Sequence, residues 1–178
     1  MIIQIFWGSD DIGKYQKYID LNKDKLKDNW KLLTHSDILK LLNNEYNFLD
    51  DPLFRRQNIT FQADLVRLLV MEKLSGCYID LDVELFVDTI QLEEEVNKIH
   101  DKDIFFWNYL FFFKTYSNSE SIKYLVKYYI ERKYNLQYDD KMLTPKVIST
   151  LVKLGSKIIQ NKEIEHLFHH VSEHMDNR

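Results

Sequence analysis

Short apolar runs separated by polar, amphipathic stretches set the rhythm of this chain. Residues 2–7, Ile-Ile-Gln-Ile-Phe-Trp, are β-branched and aromatic and stop at the turn cluster Gly8, Ser9, Asp10 and Asp11, which predicts a buried first strand and its loop. Residues 15–29 alternate Lys and Asp around Tyr18, Ile19, Leu21 and Leu26, a solvated helix with one apolar stripe, and residues 30–34 predict a second strand. From Ser36 as N-cap, Ile38, Leu39, Leu41 and Leu42 continue as a helix that gives way to an Asn-rich connection containing Pro52. Residues 61–74 are apolar on nearly all sides, which predicts a helix buried within the domain and closed by Gly76 in the place of a C-cap glycine.

Residues 77–86 predict one strand, with Cys77, Ile79, Leu81, Val83 and Leu85 on one face and Tyr78, Asp80, Asp82 and Glu84 on the other. Downstream, residues 88–98 predict a helix, residues 104–113 a very aromatic strand, and residues 119–134 a helix with a serine cap. Thr144 and Pro145 open another helix through Leu154, with proline in the first turn, where it is tolerated. Alternating strands and helices point to an α/β domain with a mostly parallel central sheet flanked by helices, and ligands bind such sheets at the carboxyl ends of strands.

Composition narrows this further. A length of 178 residues, with no internal repeat, suits a single domain over 1–178, and 4 Gly and 2 Pro exclude a low-complexity chain. A net charge of -4 gives no general attraction to nucleic acid or anionic membrane, so neither is an expected partner. A lone cysteine, Cys77, cannot form an intramolecular disulfide, and the sequence shows no signal peptide or membrane anchor, so a cytoplasmic setting is expected. Abundant Lys, Asn and Ile suit an A/T-rich genome, viral or bacterial; if viral, the setting is the host cytoplasm.

Candidate chemistry concentrates between residues 64 and 82. On a strand, residues i and i+2 project from one face roughly 7 Å apart, so Asp80 and Asp82 invite a cation; Mg²⁺ or Mn²⁺ suits oxygen ligands and commonly bridges carboxylates to substrate phosphates. The same alternation also arises in any half-exposed sheet that meets water. Asp64 and Arg67, three apart on the apolar helix, need partners: each other, or a sugar hydroxyl for the acid and a phosphate for the guanidinium.

Taken together, Ala63-Asp64-Leu65-Val66-Arg67 and Lys73-Leu74-Ser75-Gly76-Cys77-Tyr78-Ile79-Asp80-Leu81-Asp82-Val83 resemble the signature of glycosyltransferases with a DXD sugar-binding region, similar to glycosyltransferase family 32. That group includes fungal initiating α-mannosyltransferases, capsular-polysaccharide transferases and, more distantly, the clostridial glucosylating toxins. Ile3-Gln4-Ile5-Phe6-Trp7-Gly8 is similar to the family's opening strand, with Gln4 where histidine is common and Ser75 in place of the first glycine of a Gly-Gly pair.

The resemblance implies a GT-A-type (Rossmann-like nucleotide-diphospho-sugar transferase) domain. It implies a metal-dependent retaining transferase that moves a hexose from a UDP- or GDP-sugar to a hydroxyl of a glycan or glycoprotein acceptor, with Mn²⁺ or Mg²⁺ as cofactor. Asp82 would be a direct metal ligand and Asp80 a ligand or ribose contact, with Arg67 as the cationic member of the catalytic set. Tyr78, Asp64 and Arg67 would surround the donor sugar and ribose, Asn108 would face the sugar, and Trp7 would stack on the base. Relatives close the site with a C-terminal histidine. Among His166, His169, His170 and His174, the context His174-Met175-Asp176-Asn177 suits that element best, although the family's following Ser-Trp pair is missing and His166, His170 and His174 also fit one face of a solvated helix. A core location for Trp7 and Asn108 is the competing account. The alternative functions are a non-catalytic sugar-nucleotide or glycan-binding module of this fold, which the intact Asp80 and Asp82 weigh against, and a metal-dependent phosphotransferase, which the charge balance and missing P-loop weigh against.

Overall fold

The computed structural model describes residues 1–42, 46, 49, 51–106, 110–132 and 143–171. In chain order its elements are strand β1 (Ile2–Ile5), a 3-10 turn (Gly13–Tyr15), helix α1 (Gln16–Asn22), β2 (Trp30–Leu33), α2 (His35–Leu41), α3 (Pro52–Arg55), α4 (Ile59–Leu74), β3 (Gly76–Ile79) and β4 (Val83–Leu85). These are followed by α5 (Thr89–Ile99), β5 (Ile104–Phe106), β6 (Phe112–Thr115), α6 (Glu120–Arg132), α7 (Pro145–Lys153), β7 (Lys157–Ile159), α8 (Asn161–Ile164) and β8 (Phe168–His170).

Six strands form a central sheet in the order β2-β1-β3-β6-β5-β7, and β4 pairs with β8 in a separate ribbon. The β1–β2, β1–β3 and β5–β7 pairs are parallel, while β6 runs against both β3 and β5. This is a mixed, mostly parallel central sheet flanked by helices, as the alternation of strands and helices in the sequence predicts. Both faces are buried, as parallel strands require. On one face Ile3, Ile5, Tyr78, Phe105 and Phe113 pack with apolar residues of α2, α4, α6 and α7. On the other, Ile2, Cys77, Ile79, Ile104 and Phe112 meet Leu92 and Val96 of α5 and the β4–β8 ribbon. α4 is apolar on most of its faces because its central turns are enclosed: Leu65, Val66, Leu68, Leu69, Val70 and Met71 are all buried. No helix among the described residues is long and apolar enough to cross a membrane.

Several local expectations are corrected. The helix over residues 15–29 is only a 3-10 turn and α1: after Asn22 the backbone tightens into turns, Lys23 N–H donating to Asp20 and Lys25 N–H to Asn22, while the Asn22 amide donates to the Val83 carbonyl (2.7 Å) and accepts from the Leu85 N–H (2.8 Å). The N-cap of α2 is Thr34, in a capping box with Asp37, whereas the Ser36 N–H donates to Asp10. The single strand over 77–86 is two, β3 and β4, since the chain bends at Leu81 and Asp82. The aromatic strand over 104–113 is two strands, β5 and β6, paired antiparallel. The C-terminal stretch around His170 is a strand rather than a helix, because β4 supplies it with a ladder.

The passage from α4 into β3 depends on Gly76. Ser75 caps the helix at φ 53 and Gly76 follows at φ 111, where an added Cβ would lie 2.7 Å from the Met1 carbonyl oxygen. Gly76→Ala is expected to lower unfolding free energy by about 2 kcal/mol or more, through the disfavoured φ and the backbone clash. Urea denaturation measures this, and an unchanged midpoint would mean that the first residues of β1 and β3 move apart at little cost.

Candidate functional site

Asp80 follows β3 and Asp82 precedes β4, so the bend between the sheet and the ribbon carries both carboxylates. Its middle residue is the anchor: Leu81 is buried with Ile12, Tyr15 and Tyr18 in a small cluster of their own. The backbone on either side is tied down as well. The Asp80 N–H donates to the Phe111 carbonyl (2.9 Å), the Asp80 carbonyl accepts from the Gln4 amide (2.9 Å), and the Asp82 carbonyl accepts from the Val171 N–H (2.9 Å). Gln4 also accepts from the indole N–H of Trp30 (2.9 Å), so the glutamine that departs from the family pattern supports the Asp80 backbone.

Asp80 divides its two oxygens. Oδ1 accepts from the Tyr78 hydroxyl (2.5 Å) and pairs with Arg67 Nη1 (3.0 Å), while Oδ2 lies 3.7 Å from His170 Nε2. Asp82 Oδ1 is 3.4 Å from the same nitrogen. Asp80, Asp82 and His170 thus present ligand atoms all within 4.8 Å of one another. Two carboxylates and an imidazole are a donor set that fits a divalent cation. Asp82 fits it in another respect: its side chain is only 2% exposed, and a carboxylate so enclosed requires a compensating positive charge.

Arg67 projects from α4 behind this group. It reaches Asp64 at 3.3 Å, donates to the Leu110 carbonyl (2.9 Å) and lies over the Tyr78 ring. The helix therefore delivers Asp64 and Arg67 together, three residues apart on one face, as their spacing predicts. Burial opposes the guanidinium charge, but Asp80 above all, then Tyr78 and Asp64, raise its hold on its proton. Burial first, and Asp80 second to it, push the Tyr78 phenol well above its usual range against the pull of Arg67, so its hydroxyl remains a donor at neutral pH. Burial also disfavours a charged His170, yet the hydrogen bond to Asp82 and the charges of Asp80 and Asp82 outweigh it, and the imidazole is more basic than usual.

The structure therefore groups Asp64, Arg67, Tyr78, Asp80 and Asp82. Trp7 lies apart from them, just beyond β1. It is 5% exposed, its indole N–H donates to Gln62 (3.1 Å), its ring meets that of His35 at a tilt of 51°, and the Arg55 guanidinium lies over it. Asn108 and His174 lie outside the described residues. Among the described histidines, His170 joins the aspartates. The pairing Val83↔His170 places it there, and a three-residue strand is too short for sequence periodicity to reveal.

Removing the guanidinium would leave Asp64 and Asp80 without their shared cation. Arg67→Met is expected to cost about 3–5 kcal/mol of unfolding free energy, with Arg67→Lys intermediate because an ammonium cannot span the same partners. Chemical denaturation checks this, and a loss below about 1 kcal/mol for the methionine variant would refute Arg67 as the principal counter-charge.

A family model described as the glycosyltransferase sugar-binding region containing the DXD motif matches residues 8–105, a span that includes Asp64, Arg67, Tyr78, Asp80 and Asp82. No curated protein matches the chain. Among solved structures, the chain is similar to a glycosyltransferase described as involved in the glycosylation of the major capsid of PBCV-1, at 13% identity and a TM-score of 0.45, covering 97% of this chain and 94% of that one. Since the family match takes in more than half of the sequence and contains the Asp80-Leu81-Asp82 bend, the chain belongs to the glycosyltransferase family with a DXD-containing sugar-binding region.

Proposed function

We propose that this protein is a metal-dependent retaining glycosyltransferase that moves a hexose from a UDP- or GDP-sugar to a hydroxyl of a glycan or glycoprotein acceptor. The observation that carries the reading is the convergence of Asp80, Asp82 and His170 at the carboxyl end of β3, with Arg67 fixed behind Asp80. Asp80, Asp82 and His170 would hold the ion, and the imidazole nitrogen in the set favours Mn²⁺ over the more strictly oxygen-seeking Mg²⁺. A bound divalent ion offsets the negative charge that grows on a departing diphosphate.

The chain's own groups then have distinct tasks. Arg67 and Tyr78 occupy Asp80 Oδ1 and so orient the carboxylate with Oδ2 toward His170. The same guanidinium is kept charged and nearly immobile beside the place where diphosphate charge would develop, the preorganised arrangement that makes electrostatic stabilisation effective. Asp64, itself buried, holds the other arm of Arg67 and is the acid we assign to sugar or ribose hydroxyls. For a base to stack on Trp7, the Arg55 guanidinium must give way or lie on the far side of the base.

Asp82→Asn keeps the shape of the side chain and removes its charge. The wild type is expected to release UDP or GDP from sugar nucleotides with Mn²⁺ and to gain thermal stability from Mn²⁺ plus the nucleoside diphosphate, whereas the variant does neither and retains its far-UV circular dichroism. Undiminished turnover in Asp82→Asn would overturn the metal-site assignment.

A further inference from the structure

We infer that Phe111 is a positioning residue for His170, setting the plane of its imidazole so that Nε2 faces both aspartates; the inference rests on the metal-binding reading above. Pairing of β8 with β4 fixes the backbone of His170 beside Val83, but backbone pairing does not determine rotation about the bond to the ring, a broad, roughly two-fold torsion in histidine. The carboxylates hold that rotation loosely. Nε2 lies 3.4 Å from Asp82 and 3.7 Å from Asp80, longer than the roughly 2.7–2.9 Å of a tight charge-assisted contact.

The imidazole instead lies flat on Phe111, with ring centroids 4.5 Å apart and planes inclined by only 9°. Phe111 can act as a reference plane because it is itself held. It is buried, Phe106 packs against it at 60° and 4.4 Å, and Phe168, two residues before His170, meets it edge-on at 83°. Its carbonyl accepts the Asp80 N–H, and the adjoining Leu110 carbonyl accepts from Arg67. One dipeptide therefore sets the Asp80 backbone, the Arg67 guanidinium and the His170 ring relative to one another. An aliphatic side chain would fill the same space without preferring an imidazole plane.

The test is a double-mutant cycle on Mn²⁺ affinity, measured by the electron paramagnetic resonance signal of free Mn²⁺ without nucleotide. Phe111→Leu is expected to weaken binding about tenfold, the lower end of the range for residues that orient a metal ligand. The same change made in His170→Ala should produce no further loss. Phe111→Tyr, which keeps the ring, should restore affinity, and Phe111→Met replaces the leucine variant if that one does not fold. In the metal-free protein, loss of the stacked ring should move the His170 ring-proton resonances downfield while amide resonances elsewhere persist. Unchanged Mn²⁺ affinity in Phe111→Leu, or an equal loss with and without His170, overturns the inference and leaves the metal reading intact. Unchanged affinity in His170→Ala removes His170 as a ligand, and the inference falls with it.

Discussion

Leu81 buries its side chain among Ile12, Tyr15 and Tyr18, and the two aspartates that flank it are thereby committed to the bend between sheet and ribbon. Had the strand continued straight, Leu81 would share the core face of Ile79 and Val83, and Asp80 and Asp82 would line the opposite face of a single sheet. Breaking the strand gives each aspartate a different neighbourhood. Asp80 remains against the end of β3, within reach of α4, while Asp82 lies just ahead of the strand that receives β8. The apolar pocket for one leucine thus determines which parts of the chain meet at the acids.

Those neighbourhoods divide the electrostatics. Arg67 serves Asp64 and Asp80 together, one guanidinium reaching both carboxylates, and Tyr78 contributes a neutral donor to the oxygen already engaged by Arg67. The region of Asp82 and His170 is separately poised, because the imidazole is more basic than usual when the two acids are its partners. Under the proposed metal-binding role, a cation held there would have to compete with a proton on the imidazole.

The parts of this arrangement legible in the sequence are those that a single element carries. Asp64 and Arg67 belong to one helix, and three-residue spacing is enough to place them on one face; Tyr78 and Asp80 share one strand end. The apolar runs likewise disclose the first two strands and the enclosed α4, and polar residues ahead of them the caps at Ser119 and Thr144. His170 was hidden because its place depends on pairing with a strand more than eighty positions earlier, which leaves no local period. The alternation over residues 77–86 misled for a related reason: it continues through the bend, since Leu81 is apolar on behalf of a different cluster. Trp7 illustrates the opposite limit, where a residue at the expected strand end is enclosed by Gln62, His35 and Arg55, none of which is near it in sequence.

The side chain of Asn22 has one further consequence. By accepting from Leu85 and donating to Val83 along the margin of β4 that β8 does not use, while Lys25 reaches the Leu85 carbonyl, it does for that margin what another strand would do. A two-stranded ribbon would otherwise offer a template for intermolecular β-pairing. With the Val83 carbonyl and the Leu85 N–H taken by one carboxamide and the Leu85 carbonyl by Lys25, the β4 edge of the ribbon that brings His170 to the aspartates is guarded against edge-to-edge self-association.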